Sequence, residues 1–237
     1  MEVLAFDLRS SLGQFRRPDT TVTHATYPFI TRTVLSGLLG SILGLRVLDG
    51  ENWLGLQLLS PVRTITQQMS MLGKGWVSGG NLQFNRPTAI ELVVNPHYRV
   101  YYSGHHLAEL IEFIQAGRAC YHTYLGSAFC LAFPKSVATM EGEELSPETG
   151  EAIETVTVVP SHAISRLIPR PGATYGRVGG MHYQYLGNRE FAGTVNVIYE
   201  RRGGRLAFEA ASPTEWQGPP CRFLRLPQSG GIVICLW

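Results

Sequence analysis

The sequence predicts an α+β fold in two parts, a βαββαβ unit over residues 1–140 and a β-rich subdomain over residues 141–237. Three observations carry that prediction. Two stretches keep apolar residues at helical spacing, and each is preceded by strand-like runs. A glycine-punctuated insertion separates two of those runs. Beyond a short acidic segment the apolar runs are brief and strand-like, with no further helical period.

The elements follow in order. Val3 to Leu8 alternates as a strand should, and a polar segment over residues 9–30 follows it, holding Arg9, Arg16, Arg17, Thr20, Thr21, Thr23, His24, Thr26 and Tyr27. A loop of that length inside a compact domain points to function, and its aromatics and threonines argue against disorder. Val34, Leu35, Leu38, Leu39, Ile42 and Leu43 then mark a helix whose remaining face is thinned by Ser36, Gly37, Gly40, Ser41 and Gly44. Each glycine inside a helix costs about 1 kcal/mol relative to alanine, so either something approaches this face or the helix packs tightly on a sheet. Leu56 to Thr66, Ala89 to Val94 and Tyr98 to Tyr102 read as strands. Between the first two, residues 67–87 suggest a protruding hairpin, with Gly73-Lys74-Gly75-Trp76 and Gly79-Gly80-Asn81 near its tip. Leu107, Leu110, Ile111 and Ile114 mark a second helix ended by Gly117, and Phe129 to Phe133 a further strand. Strand, helix, strand, strand, helix, strand is the ferredoxin-like, or RRM-like, pattern. After the acidic segment, Ile153 to Val159, Thr194 to Tyr199, Arg205 to Ala210 and Ile232 to Trp237 read as strands, with Gly203-Gly204 as a hairpin turn.

Charge placement narrows the function. Among 237 residues, 20 Lys plus Arg against 18 Asp plus Glu give a net charge of +2. Only Lys74 and Lys135 are lysines; every other cation is arginine, the side chain suited to bidentate phosphate recognition and to stacking on bases. Glu141, Glu143, Glu144, Glu148, Glu151 and Glu154 crowd one short stretch, and without those six the chain would carry +8. A basic body masked by a local acidic strip makes nucleic acid a candidate partner. A GC-rich genome would also enrich arginine, so composition alone leaves both explanations standing.

Other classes are excluded or disfavoured. Cys120, Cys130, Cys221 and Cys235 form no C-x-x-C pair and sit in largely apolar surroundings, which predicts free thiols in a reducing compartment. The first residues carry no basic targeting region, and the run Val34 to Leu45 is too short and too interrupted to span a bilayer, so a cytoplasmic protein without a membrane partner is expected. Gly73-Lys74-Gly75 lacks the spacing of a phosphate loop, and Gly126-Ser127 lacks the second glycine of a nucleophile elbow. His105 and His106 are adjacent and cannot form the i, i+4 pair of a helical metal site, so neither metal nor cofactor is expected. His24 and His122 remain as possible acids or bases for RNA cleavage.

The run Phe15-Arg16-Arg17-Pro18-Asp19-Thr20-Thr21, with His24-Ala25-Thr26-Tyr27-Pro28 and the continuation from Phe29 to Gly44, resembles the signature of the fifth Cas family. Tyr124-Leu125-Gly126-Ser127-Ala128-Phe129 is similar to the family's Leu-Gly turn, and Arg86-Pro87 through Asn95-Pro96-His97-Tyr98-Arg99-Val100-Tyr101 is a further match. These are RAMP-superfamily CRISPR proteins of type I systems, which hold the 5′ handle of the guide RNA in Cascade complexes.

The resemblance implies a ferredoxin-like domain with a β-hairpin thumb, here about residues 67–87, and a smaller β region. It implies that Phe15, Arg16, Arg17, His24, Tyr27 and Arg32 line the handle pocket, that Lys74 meets a phosphate, and that Trp76 stacks on a base for about 1–3 kcal/mol. Asn81 and Arg86 on the hairpin and His122 before the Leu-Gly turn complete the expected RNA-binding set. Its partners would be the 5′ handle of the crRNA, the Cascade backbone and large subunits, target DNA through the assembled complex and, for a transposon-borne complex, transposition proteins. Some relatives cut precursor crRNA without metal, using a tyrosine, a lysine and a histidine. Here Cys120-Tyr121-His122-Thr123-Tyr124 supplies the histidine but no lysine, and Arg118 replaces it only in charge. A non-catalytic capping subunit is therefore expected, with a metal-independent endoribonuclease as the alternative and an orphan single-strand RNA-binding protein as a third reading. Thr31, where many relatives carry proline, is a second departure.

Overall fold

A computed structural model describes residues 1–20, 23–72 and 85–237 of the chain. The first strand, β1 (Glu2–Arg9), is apolar on both sides because both of its faces are covered. Leu4, Phe6 and Leu8 enter the main core, and Val3 and Ala5 enter a second cluster with Leu224, Leu226, Ile234 and Leu236. The alternation expected there is thus between two buried faces. A short β2 (Leu12–Gly13) leads into the polar loop and then into α1 (Arg32–Leu43). Thr31 caps that helix, its side chain accepting a hydrogen bond from the Val34 N–H at 3.4 Å. Gly44 ends it in the left-handed conformation at φ 79°.

Next come β3 (Asn52–Leu58), β4 (Thr64–Leu72), β5 (Asn85–Val94), β6 (His97–Gly104), α2 (Leu107–Gln115) and β7 (Lys135–Glu141). β3, β6, β1 and β7 lie side by side in that order, every neighbour antiparallel. α1 and α2 place Leu35, Leu38, Leu39, Ile42, Leu110 and Ile114 on one face of this sheet. Gly117, at φ 63°, ends α2 as its position in the sequence suggests. β4 and β5 form a hairpin paired from Thr64↔Val93 to Leu72↔Asn85, and most of β4 is exposed to solvent. Lys74, Trp76 and Asn81 lie outside the described residues.

Beyond β7 come β8 (Glu143–Leu145), β9 (Ala152–Thr155), β10 (Val159–Pro160), β11 (Ile164–Leu167), β12 (Tyr175–Gly187), β13 (Glu190–Glu200), β14 (Leu206–Ala210), β15 (Arg222–Leu226) and β16 (Ile232–Leu236). A sheet ordered β11-β14-β9-β16-β15-β8 packs across the open face of the first sheet. Contact there is close: a Cβ on Gly55 would stand 2.8 Å from Leu236 Cδ2 and 2.9 Å from the Cys235 carbonyl oxygen. β12 and β13 form a long ribbon whose turn residues Asn188 and Arg189 both have positive φ, 49° and 65°, the pattern of a type I′ hairpin.

Several expectations are corrected. Residues 129–133 contribute only a bridge between Tyr124 and Leu131, and the strand lies further on at Lys135–Glu141. That strand has one free edge and a mostly exposed face, so it lacks the apolar run that marked the earlier segment. Leu56 to Thr66 divides into β3 and β4 around Pro61, which has no N–H to give a ladder. Gly203-Gly204 does not join paired strands, because β13 pairs with β12 and β10 while β14 pairs with β9 and β11. The acidic stretch is part of the fold: Glu143 and Glu144 lie in β8, and Glu154 holds both Arg170 and Arg205. All four cysteines are free, Cys120 exposed and the others buried. No helix among the described residues is long and apolar enough to cross a membrane.

Candidate nucleic-acid interface

The polar loop is built as a small ladder laid against β5. Arg16 bridges Thr26, the Arg17 N–H donates to the Ala25 carbonyl at 2.9 Å, and the Tyr27 N–H donates to the Phe15 carbonyl at 2.7 Å. Thr26 ties it down, accepting from the Phe15 N–H at 2.8 Å while its own N–H donates to Glu91 Oε2 at 3.0 Å. The His24 backbone exchanges bonds of 2.9 Å with Ala89 and Glu91. Gln14 anchors the start: its N–H donates to the Leu125 carbonyl at 2.9 Å and its side chain accepts from Ser127 Oγ at 2.6 Å. The Leu-Gly turn requires its glycine, because a Cβ on Gly126 would fall 1.8 Å from the Gln14 carbonyl oxygen and φ there is +84°.

Three expected RNA contacts are occupied by the fold itself, Phe15 and Tyr27 in the loop and Arg32 at the start of α1. Phe15 is 1 % exposed and packs beside Tyr98, so its ring offers no face to a base. Tyr27 is 7 % exposed and lies under the Arg17 guanidinium, 5.8 Å from the ring centroid; burial pushes its hydroxyl pKa up. Arg32 donates to the carbonyls of Trp237, Tyr183 and Asn52 at 3.1, 3.2 and 2.8 Å. Arg16 and Arg17 are exposed, Arg16 bonded to the Thr20 carbonyl and Arg17 to both carboxylate oxygens of Asp19. His24 and Arg86 are half-buried, and His122 is exposed.

The thin face of α1 separates two clefts. In one, of about 410 Å³, Gly37 and Ser41 face Tyr121, His122, Tyr124 and Gly126. In the other, of about 260 Å³, Gly37 and Ser36 face Arg46, Trp53, Tyr183 and Tyr185. The glycines divide in role. Gly40 is met by the chain itself, a Cβ there lying 2.9 Å from the Leu45 carbonyl oxygen, whereas nothing stands within 4 Å of a Cβ on Gly37. Segment 120–121 is pinned to the end of α1 by bonds of 2.9 and 3.0 Å to the carbonyls of Ile42 and Ser41. The sequence reading missed the tyrosines of both clefts. It also missed the outward stripe of Phe129, Leu131 and Phe133, at 53, 48 and 63 % exposure. Their alternation with buried Cys130 and Ala132 was legible, but it reads as a strand with its apolar side inward.

Arg118 is committed elsewhere. It pairs with Glu112 at 2.7 Å and lies over the Phe113 ring at 5.3 Å.

Comparison with known proteins places these features. A family model described as CRISPR-associated protein (Cas_Cas5) matches residues 3–66, from β1 through the polar loop and α1 into β4. No curated protein sequence gives a significant match. Among solved structures, a chain of a CRISPR RNA-guided surveillance complex superposes with a TM-score of 0.54 at 10% identity, covering 90% of this chain and 96% of that one. A CRISPR protein from Archaeoglobus fulgidus gives 0.52 at 12% identity, covering 99% of each chain. At such identities the structures establish a shared mixed α/β, sheet-rich fold. The stretch that resembles the Cas5 family model is the one that holds the polar loop and α1.

Proposed function

We propose that the chain is the non-catalytic subunit that caps the 5′ handle of the guide RNA in a type I Cascade complex. The observation that carries this reading is the polar loop: it lies within the family match, its residues 14–17 and 24–27 are hydrogen-bonded to one another, to β5 and to the Leu-Gly turn, and Arg16 and Arg17 are exposed with His24 half-buried beside them. The strand order β3-β6-β1-β7 supports a ferredoxin-like unit over residues 1–140, with the β4–β5 hairpin as its thumb and residues 141–237 as a β-rich companion. The exposed stripe at Phe129, Leu131 and Phe133 suits the backbone or large subunit, since contiguous exposed apolar surface marks protein contacts.

Absence of catalysis is supported by the surroundings of His122. Metal-independent cleavage needs a base near the 2′-hydroxyl and a cation at the phosphorane. His122 and Tyr121 line one cleft, but Arg118, the cation nearest in sequence, is paired to Glu112. Purified protein incubated with labelled repeat RNA in EDTA tests this. Bound, uncut RNA is expected. Specific cleavage that His122→Ala abolishes would replace capping by processing.

A further inference from the structure

A third cleft, of about 380 Å³, opens where the polar loop, the root of the β4–β5 hairpin and the base of the β12–β13 ribbon meet. Three arginines line it, Arg17, Arg177 and Arg201, with Glu91 as the acidic side chain among its lining residues. Glu91 already accepts the Thr26 N–H, and Arg17 is tied to Asp19. Arg177 and Arg201 are different: both are exposed, and neither guanidinium has a hydrogen bond or ion pair among the described residues.

The backbone presents these two arginines by specific devices. Buried Glu200 accepts from the N–H groups of Thr174, Arg202 and Gly204 at 2.9, 2.8 and 2.7 Å, which fixes the turn carrying Arg201. On the opposite wall β12 bulges between Val178 and Met181, with Gly180 at φ +66°. Bulges re-aim a strand and recur beside binding sites, and here Val178 and Gly179, at the start of the bulge, line the cleft next to Arg177.

Two unpaired guanidiniums on facing walls, one of them beside a strand bulge, at the foot of the β4–β5 hairpin, suit a chain of phosphates. A planar fork matches two phosphate oxygens, and an extended single strand passes a shallow cleft without needing a deep pocket. We propose that this cleft binds the phosphodiester backbone of single-stranded RNA, with Arg177 and Arg201 each neutralising a phosphate. The proposal rests on the reading of the chain as a guide-RNA-binding subunit and adds to it two cations from the C-terminal half, which face the loop and the root of the hairpin.

The test is the salt dependence of binding to a labelled guide RNA between 50 and 200 mM salt, for the full chain and for Arg177→Gln/Arg201→Gln. Neither side chain holds the fold, so the variant should keep the parent melting temperature. Removing two phosphate contacts on a single strand should lower the magnitude of the log–log slope by about 1.4 and weaken binding about tenfold at low salt. Arg177→Lys/Arg201→Lys should keep the slope and lose affinity. An unchanged slope with RNA still bound overturns the site alone. No RNA binding by the parent overturns the guide-RNA reading and the site with it. An equal fall from substituting exposed Arg225 of β15, Arg225→Gln, or equal competition by polyglutamate, would reduce the cleft to bulk charge or to a docking site for acidic protein.

Discussion

The Arg32 guanidinium lies over the ring of Tyr183, 4.3 Å from its centroid, and donates to the Tyr183 carbonyl at 3.2 Å. The first residue of α1 is thereby locked to the β12–β13 ribbon, and its other two bonds reach β3 and Trp237. Burial lowers the Arg32 pKa, and the contact with Tyr183 partly offsets that effect. Arg32→Ala strips three carbonyls of a charged donor and removes the stacked group, so chemical denaturation should show a loss of about 3 kcal/mol. The salt slope of RNA binding should not move, because this cation is spent on the fold.

Gly55 and Gly37 should respond in opposite directions to alanine. A Cβ on Gly55 collides with the facing sheet, and overpacking of that kind costs about 1–3 kcal/mol. A Cβ on Gly37 meets nothing within 4 Å, and alanine in a helix interior gains about 1 kcal/mol over glycine. Urea midpoints of the two variants check both signs. Lower RNA affinity in the stabilised Gly37→Ala protein would place a ligand on the open face of α1.

Glu200 gives the turn beside the arginine cleft a pH dependence. Burial raises its pKa, but the donors Thr174, Gly204 and Arg202 outweigh that, and the net shift is downward. A depressed carboxylate contributes stability above its unfolded range, about 4.3, and loses it as pH falls through the folded value. Melting curves should show Glu200→Gln less stable than the parent near pH 7, by about 1–3 kcal/mol. The gap should close below about pH 4 as the parent protonates. A gap that stays constant with pH would mean that the charge is not what holds the turn.

The Phe129, Leu131 and Phe133 stripe should matter to assembly and not to folding. Exposed side chains without partners change stability by about 0.5 kcal/mol or less when replaced. Serine at all three positions should therefore leave the melting curve in place while reducing co-purification with a Cascade backbone or large subunit. Undiminished co-purification would move the protein contact to another face.

The helices and first strand were legible because their periodicity is local: Leu35, Leu38, Leu39 and Ile42 mark one face of α1, and Gly117 marks the end of α2, whereas Gly44, read as part of the thin helix face, is the left-handed cap that ends α1. β7 was not legible, since its pairing with β1 and its exposed edge are set by distant chain. The ribbon β12–β13 was half legible; Gly176, Gly179 and Gly180 break its apolar pattern, and their reason is the Tyr199 ring and the bulge. Within the candidate site, arginine identity was visible but allegiance was not. Arg17 and Arg32 share one stretch of sequence, yet one is paired at the surface and the other is bonded to three buried-side carbonyls. Arg177 and Arg201 carried no local signal, because the loop that completes their cleft lies far away in the chain.

The most direct measurement is the affinity of the purified chain, in EDTA, for a guide RNA with its repeat-derived 5′ handle and for the same RNA with the handle sequence scrambled, across 50 to 200 mM salt. Handle capping predicts at least tenfold preference for the intact handle, no cleavage, and a log–log slope near −3.5 for about five neutralised phosphates. Equal affinity for both RNAs, or a slope near zero, would contradict it.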